Sequence, residues 1–193
     1  MAEFGVFLDR DGTVTEEIGY VNDPARLRLI PGSAEAIALL NSRRIPAILA
    51  TNQAGVARGY FKEEMIGRCH SRLEEMLAAL GAKLDAIYFC PHHPSVGEPP
   101  YRQDCGCRKP KPGMLTSAAE RFGLDLTRSF VIGDKASDLE VAKVVGARPL
   151  LVRTGYGEGE IELAGGRWKV EPEAIFLNLL DAVRYIVEKE AAG

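Results

Sequence analysis

A chain of 193 residues, 46% hydrophobic and 26% charged, can bury roughly 70% of its unfolded surface as one domain, with no staple or partner. Its 24 Lys and Arg against 27 Asp and Glu leave a net charge of −3 without a basic stripe, which argues against a nucleic-acid binder. No apolar run approaches the ~20 residues of a membrane span, so a membrane partner is excluded in the same way and a monomer is expected.

Gly5-Val6-Phe7-Leu8 reads as a short strand buried on both faces. It is too short for a signal-peptide core and runs straight into Asp9, Arg10 and Asp11, so a cytoplasmic protein is expected. Pro31-Gly32-Ser33 opens a helix with Ser33 as the N-cap and Glu35 in the first turn. Ile45 to Ala50 is a second buried strand. A helix from about Lys62 to Leu80 follows, with Met65, Ile66, Cys69, Leu73, Met76, Leu77 and Leu80 on one stripe and Gly81 closing it. Cys69 reads as an inert core thiol and His70 as a helix-surface residue.

Ala86 to Phe89 makes a third strand, and residues 90 to 112 a long polar loop rich in proline. A helix from about Met114 to Phe122, the strand Phe130 to Ile132, a helix from about Asp138 to Val145 and the strand Leu150 to Val152 come next. Gly155 to Gly159 reads as a flexible connection with no catalytic role, since Glu160 stands where a dinucleotide fingerprint needs its third glycine. A short Trp168-Lys169-Val170 segment and a helix after Pro172 complete the chain, and Glu188 to Gly193 are expected to fray. Strand and helix alternate with short connections. The expected fold is α/β, a Rossmann-like parallel sheet with helices on both faces, in a single domain over 1–193.

Ligands bind outside the carboxyl ends of such strands. The first strand delivers Asp9 and Asp11, the second Thr51 and Asn52, the fourth Gly133 and Asp134, and the loop after the third carries Arg108 and Lys109. Acids, hydroxyls and cations on one edge point to phosphoryl transfer. Two carboxylates two residues apart can share a divalent metal, one attacking phosphorus while the other handles the leaving oxygen's proton. Gly12 lets the backbone approach the transferred group.

Three of the four cysteines crowd into positions 90 to 107, which in a reducing compartment favours metal or catalysis over disulfides. Cys90-x-His92 and Cys105-x-Cys107, twelve residues apart, form a Cys₃His set. The one-residue gap puts each pair on one side of extended chain. Four such ligands leave no open position, so Zn²⁺ in this loop, 90–107, would be structural. On spacing alone His93 rivals His92.

Asp9-x-Asp11-Gly12-Thr13, Thr51, Lys109 and Gly133-Asp134 match in order the four motifs of the haloacid dehalogenase-like (HAD-like) phosphatase superfamily. With Gly19-Tyr20-Val21, Thr51-Asn52-Gln53, Ala57-Arg58-Gly59, Cys90 to Pro94, Cys105 to Pro110 and Lys135, the chain resembles the D-glycero-D-manno-heptose-1,7-bisphosphate 7-phosphatases from about Gly5 to Gly155. The histidinol-phosphate phosphatases share the motifs and are the alternative. A nucleic-acid 3′-phosphatase is a more distant one, against which the net acidity counts.

The resemblance implies Asp9 as nucleophile, Asp11 as general acid and base, and Thr51 and Lys109 as holders of the phosphoryl oxygens. It implies Mg²⁺ on the Asp9 carboxylate, the Asp11 carbonyl and Asp134, selects His92 as the zinc ligand, and makes Lys135 a substrate contact. Asp138 divides evenly between a helix-start charge and a group that orients its neighbours. About 40 residues separate Asp11 from Thr51, which a loop, a helix and a strand consume, so no cap domain is expected. Specificity then falls to the loop Glu17 to Tyr20 with Gly19, to Asn52 and Gln53, to Ala54 to Arg58, and to Arg108. Arg58 and Arg108 suit a second phosphate, as on a sugar bisphosphate.

Overall fold

The computed structural model describes residues 4–191. Strands β1 (Val6–Leu8), β2 (Ala47–Asn52), β3 (Ala86–Cys90), β4 (Phe130–Gly133), β5 (Arg148–Val152) and β6 (Ala174–Phe176) form one parallel sheet in the order β3-β2-β1-β4-β5-β6. Their near-continuous apolar runs are stable only where both faces are covered. Val6, Leu8, Leu49, Ile132 and Val152 pack on one face under α1 (Ser33–Ser42), α2 (Glu64–Ala78) and α6 (Leu179–Ala191). Phe7, Ile48, Ala50 and Val131 pack on the other under α3 (Gly113–Phe122) and α4 (Ala136–Val145). The winding reverses between β1 and β4, so the ends of these two neighbours flank the crevice where such sheets take ligands. Among the described residues, no helix is long and apolar enough to cross a membrane.

Several local expectations need correction. Gly32, at φ +87°, takes the N-cap position of α1, because Ser33 turns its hydroxyl to the Thr13 carbonyl at 3.4 Å. Leu80 is exposed, because α2 stops at Ala78 and the chain turns at Gly81 (φ +74°). His70 is buried rather than on the helix surface. Gly157–Ala164 is a helix, α5, in place of a flexible connection. The short Trp168 to Val170 segment is irregular chain. Pairing resumes instead at β6, after the Glu173 amide bonds the Pro149 carbonyl at 2.7 Å, and the last helix begins only at Leu179. That helix continues through the expected fraying to Ala191, and Ala192 and Gly193 lie outside the described residues.

Candidate active site

Register with β4 fixes the first acid: the Asp9 amide donates to the Ile132 carbonyl at 3.0 Å. The chain then folds back, with the Arg10 carbonyl accepting from the amides of Val14 at 2.9 Å and Thr15 at 2.8 Å. Gly12 sits inside this turn at φ +86°, and a Cβ there would stand 2.0 Å from Asp134 Oδ2. The position needs glycine for its conformation and for its close approach to that acid.

Lys109 comes from the loop before α3 and is 4% exposed. Its Nζ donates to Asp9 Oδ1 at 2.8 Å, Asp138 Oδ1 at 2.5 Å and the Ala50 carbonyl at 2.7 Å, which uses all three donors of the ammonium. Burial disfavours this charge, but Asp138 and Asp9 outweigh burial and raise the Lys109 pKa above its usual value. Burial likewise works against the Asp9 carboxylate. Lys109 and then Lys135 overcome it, and the Asp9 pKa falls. Asp138 Oδ2 also accepts the Lys135 amide at 3.2 Å, so this carboxylate closes the start of α4 while its other oxygen bonds Lys109. Burial, set against Lys109, lifts its pKa to about 6.

Asp134 follows β4 and is fully buried. Burial, followed by the charge on Asp9, pushes its pKa up to about 8. Its Oδ2 accepts the Tyr156 amide at 2.9 Å, while Oδ1 has no hydrogen-bond partner among the described residues. A Cβ on Gly155 (φ +60°) would stand 2.2 Å from the same carboxylate. The glycine-rich segment after β5 thus walls the acid cluster and supplies it with an amide. Oxygens of Asp9, Asp134 and Asp138 all lie within 4.8 Å of one another.

Asp11 faces the other way. Its Oδ1 accepts from Arg10 Nε at 3.0 Å, and its Oδ2 from Arg10 Nη2 and Gln53 Nε2, each at 2.8 Å. Gln53 Nε2 also reaches Thr51 Oγ1 at 3.0 Å, tying the hydroxyl of β2 to the same group. His70 packs behind Arg10 and edge-on to Phe89.

Above these groups opens a cavity of about 350 Å³, lined by Asp11, Glu17, Gly19, Tyr20, Asn52, Gln53, Ala54, Arg108, Lys109, Lys135, Ser137 and Tyr156. A hollow of about 580 Å³ lies elsewhere, by Arg148 and Trp168 at the opposite end of β5, away from the acids. Glu17 secures the rim: it accepts from Lys135 Nζ at 2.9 Å and from the Gly19 amide at 2.7 Å. Tyr20 stacks edge-on against Tyr60 at 4.7 Å. Arg58 lies outside the lining, with its guanidinium 5.8 Å from the centre of the Tyr20 ring. Ser137 and Tyr156 escaped the sequence reading. Position two after Lys135 was the available signal for Ser137, and nothing local marked Tyr156.

The Cys₃His set does converge. Cys105 Sγ lies 3.4 Å from Cys90 Sγ and 3.2 Å from Cys107 Sγ, and His92 Nδ1 is 3.8 and 3.6 Å from Cys90 and Cys107. A tetrahedral metal with bonds of about 2.3 Å asks for edges near 3.8 Å. His93 points away and accepts the Ser95 amide at 3.2 Å. Arg108 Nη1 donates to the His92 carbonyl at 3.1 Å, and Asn52 clamps the Lys109 peptide from both sides, amide and carbonyl each at 3.0 Å. The cluster and β2 therefore share control of the two cations.

Comparison with known proteins agrees with this geometry. A family model described as HAD-hydrolase-like matches residues 106–182. The D-glycero-D-manno-heptose-1,7-bisphosphate 7-phosphatase of Thermosynechococcus vestitus is 42% identical over 185 residues, covering 94% of each chain. The D-glycero-beta-D-manno-heptose-1,7-bisphosphate 7-phosphatase of Photorhabdus laumondii is 44% identical over 152 residues, 78% of this chain and 80% of that one. Among solved structures, the D,D-heptose 1,7-bisphosphate phosphatase of B. bronchiseptica, complexed with magnesium and phosphate, superposes with a TM-score of 0.85 at 34% identity, over 96% of this chain and 99% of that one. By sequence over nearly its full length and by fold, this chain belongs to the D-glycero-D-manno-heptose-1,7-bisphosphate 7-phosphatase family of HAD-like hydrolases.

Proposed function

We propose that the protein is a Mg²⁺-dependent phosphatase that removes the C7 phosphate of D-glycero-D-manno-heptose 1,7-bisphosphate through an aspartyl-phosphate on Asp9. The observation that carries this reading is the buried trio Asp9, Asp134 and Asp138, with Lys109 bonded to the first and last and Asp134 Oδ1 left without a partner among the described residues. A buried carboxylate oxygen with no partner among the described residues, beside two further acids, suits a cation. The Asp9 carboxylate, the Asp11 backbone carbonyl and Asp134 would hold Mg²⁺ there, and the ion would offset the repulsion between nucleophile and phosphate.

An Asp9 oxygen attacks phosphorus, and Asp11, two residues on and facing the cavity, protonates the leaving sugar oxygen. Asp11 then takes a proton from the water that hydrolyses the phosphoenzyme. Thr51 and Lys109 hold the phosphoryl oxygens. Esterification weakens Asp9 as an acceptor, which frees one Lys109 donor for that task. The name of the T. vestitus relative supports the C7 assignment, and no observation favours histidinol phosphate. The active site is proposed to lie open without a cap, in a cytoplasmic monomer whose substrate is a small molecule.

Arg108 at the cavity rim is proposed to take the C1 phosphate, with Arg58 behind it. The test is kcat/KM for the heptose bisphosphate, fructose bisphosphate and histidinol phosphate. The heptose ester should be preferred, and Arg108→Ala should cost it roughly ten- to a hundredfold, about 1.5–3 kcal/mol, while a monophosphate loses less. Preference for histidinol phosphate would overturn the assignment.

Zn²⁺ on Cys90, His92, Cys105 and Cys107 is proposed to act through geometry, since Arg108 and Lys109 follow the last ligand directly. One zinc per chain is expected by elemental analysis. Cys107→Ser should lose it and lower kcat/KM by about tenfold or more, with the far-ultraviolet circular dichroism retained. Unchanged kinetics in that variant would sink the idea.

A further inference from the structure

Arg10 heads the fully buried large side chains at 1% exposure, and the reaction outlined above gives it nothing to do. A guanidinium stays charged and only donates, so burying it demands acceptors around it. Its Nε and Nη2 grip both oxygens of Asp11 in a two-pronged contact, and Nη2 also donates to Gln53 Oε1 at 2.8 Å. Nη1 lies 3.4 Å from His70 Nε2. Since arginine cannot accept, His70 must accept at Nε2 and carry its proton on Nδ1. Burial, with Arg10 adding to it, lowers the His70 pKa to about 3 and keeps the ring neutral.

Among the described residues, the nitrogens that touch the Asp11 carboxylate all donate to it, Arg10 twice and Gln53 Nε2 once, and the Thr15 hydroxyl lies 3.4 Å from its Oδ1. Such a shell orients the carboxylate to take up a proton: Arg10 and Gln53 hold it by donation alone, and the Thr15 hydroxyl, also 3.3 Å from the Arg10 carbonyl, can turn its proton there and accept the O–H that Asp11 gains. The carboxylate still reaches the cavity, where its side chain is 12% exposed.

We propose that Arg10, braced by His70 of α2, is a positioning residue that holds Asp11 as the base for hydrolysis of the phosphoenzyme. The proposal rests on the roles given above to Asp9 and Asp11. In this step the water oxygen bonds to phosphorus and the phosphorus–Asp9 oxygen bond breaks, its electron pair returning to the Asp9 carboxylate. The water proton passes to Asp11, and inorganic phosphate leaves.

The test traps phosphoenzyme by rapid quench during turnover of the heptose bisphosphate and of p-nitrophenyl phosphate, whose leaving group needs no acid. In Arg10→Met, formation of the intermediate should continue while its hydrolysis slows. Phosphoenzyme then accumulates, kcat falls roughly ten- to a hundredfold, and kcat becomes the same for both esters. His70→Leu should shift both readouts the same way by about three- to tenfold, and His70→Gln, whose carbonyl can accept from Arg10, should restore them. If Arg10→Met does not fold, the two His70 variants decide alone.

Equal slowing of both steps without accumulation, or unchanged kcat, would overturn the proposal and reduce Arg10 to a structural ion pair. Asp11→Asn run alongside on p-nitrophenyl phosphate, whose transfer to Asp9 needs no acid, separates the two levels. If it accumulates phosphoenzyme while the Arg10 and His70 variants do not, only the positioning role falls. If it does not accumulate either, the role of Asp11 falls, and this proposal with it.

Discussion

Asp9→Asn is expected to lower kcat on the order of 10⁴-fold or more and to abolish the trapped phosphoenzyme. The amide keeps the size of the side chain and can still accept from Lys109, but its oxygen is no nucleophile. The fold should not suffer. Asp9 is one of the charges that push the Asp134 and Asp138 pKa values up, so removing it relaxes both neighbours. Thermal stability without added metal should therefore equal or exceed that of the parent. Intact-protein mass after quench is the check, and near-normal turnover would rule out the covalent route.

Lys109→Met should cost stability as well as activity. The substitution leaves Asp9 and Asp138 buried with their shared cation gone, and breaking a buried pair from one side typically costs about 3–5 kcal/mol. The loss should depend on pH. Asp138 and Asp134 already have folded-state pKa values raised to about 6 and about 8, against an ordinary 3.8. A carboxyl raised in this way binds more protons folded than unfolded between the two values, so stability falls as pH rises through that window. Without Lys109 the effect grows. The variant should lie closest to the parent near pH 4–5 and fall furthest behind near pH 8, and Mg²⁺ should recover part of the deficit. Urea unfolding at both pH values measures this, and a deficit independent of pH would contradict the buried-pair account.

The sheet and the acids at its edge were legible because buried parallel strands are short unbroken apolar runs, and the motif residues follow them directly. Asp9, Thr51 and Asp134 could be placed from strand ends alone. The edge strand Ala174–Phe176 was not legible: it is three residues long, and Ile175 at its centre faces solvent. His70 was missed although the signal existed, four residues after Ile66 and three before Leu73 on the stripe that α2 buries.

The wall formed by Gly155 and Tyr156 could not have been read locally. Its meaning lies in contact with Asp134, about 20 residues earlier, and with Gly12 across the crevice. The same holds for Arg10, whose partners Gln53 and His70 come from distant elements. Long-range polar pairing leaves no periodic trace in sequence. Hydrophobic burial does.

The most direct measurement is phosphorus-31 NMR of the heptose 1,7-bisphosphate during incubation with enzyme and Mg²⁺. The resonance of the C7 phosphate should disappear as inorganic phosphate grows, leaving heptose 1-phosphate with its anomeric phosphate intact. Loss of the anomeric phosphate first, or no turnover of the bisphosphate by an enzyme that hydrolyses histidinol phosphate, would contradict the assignment.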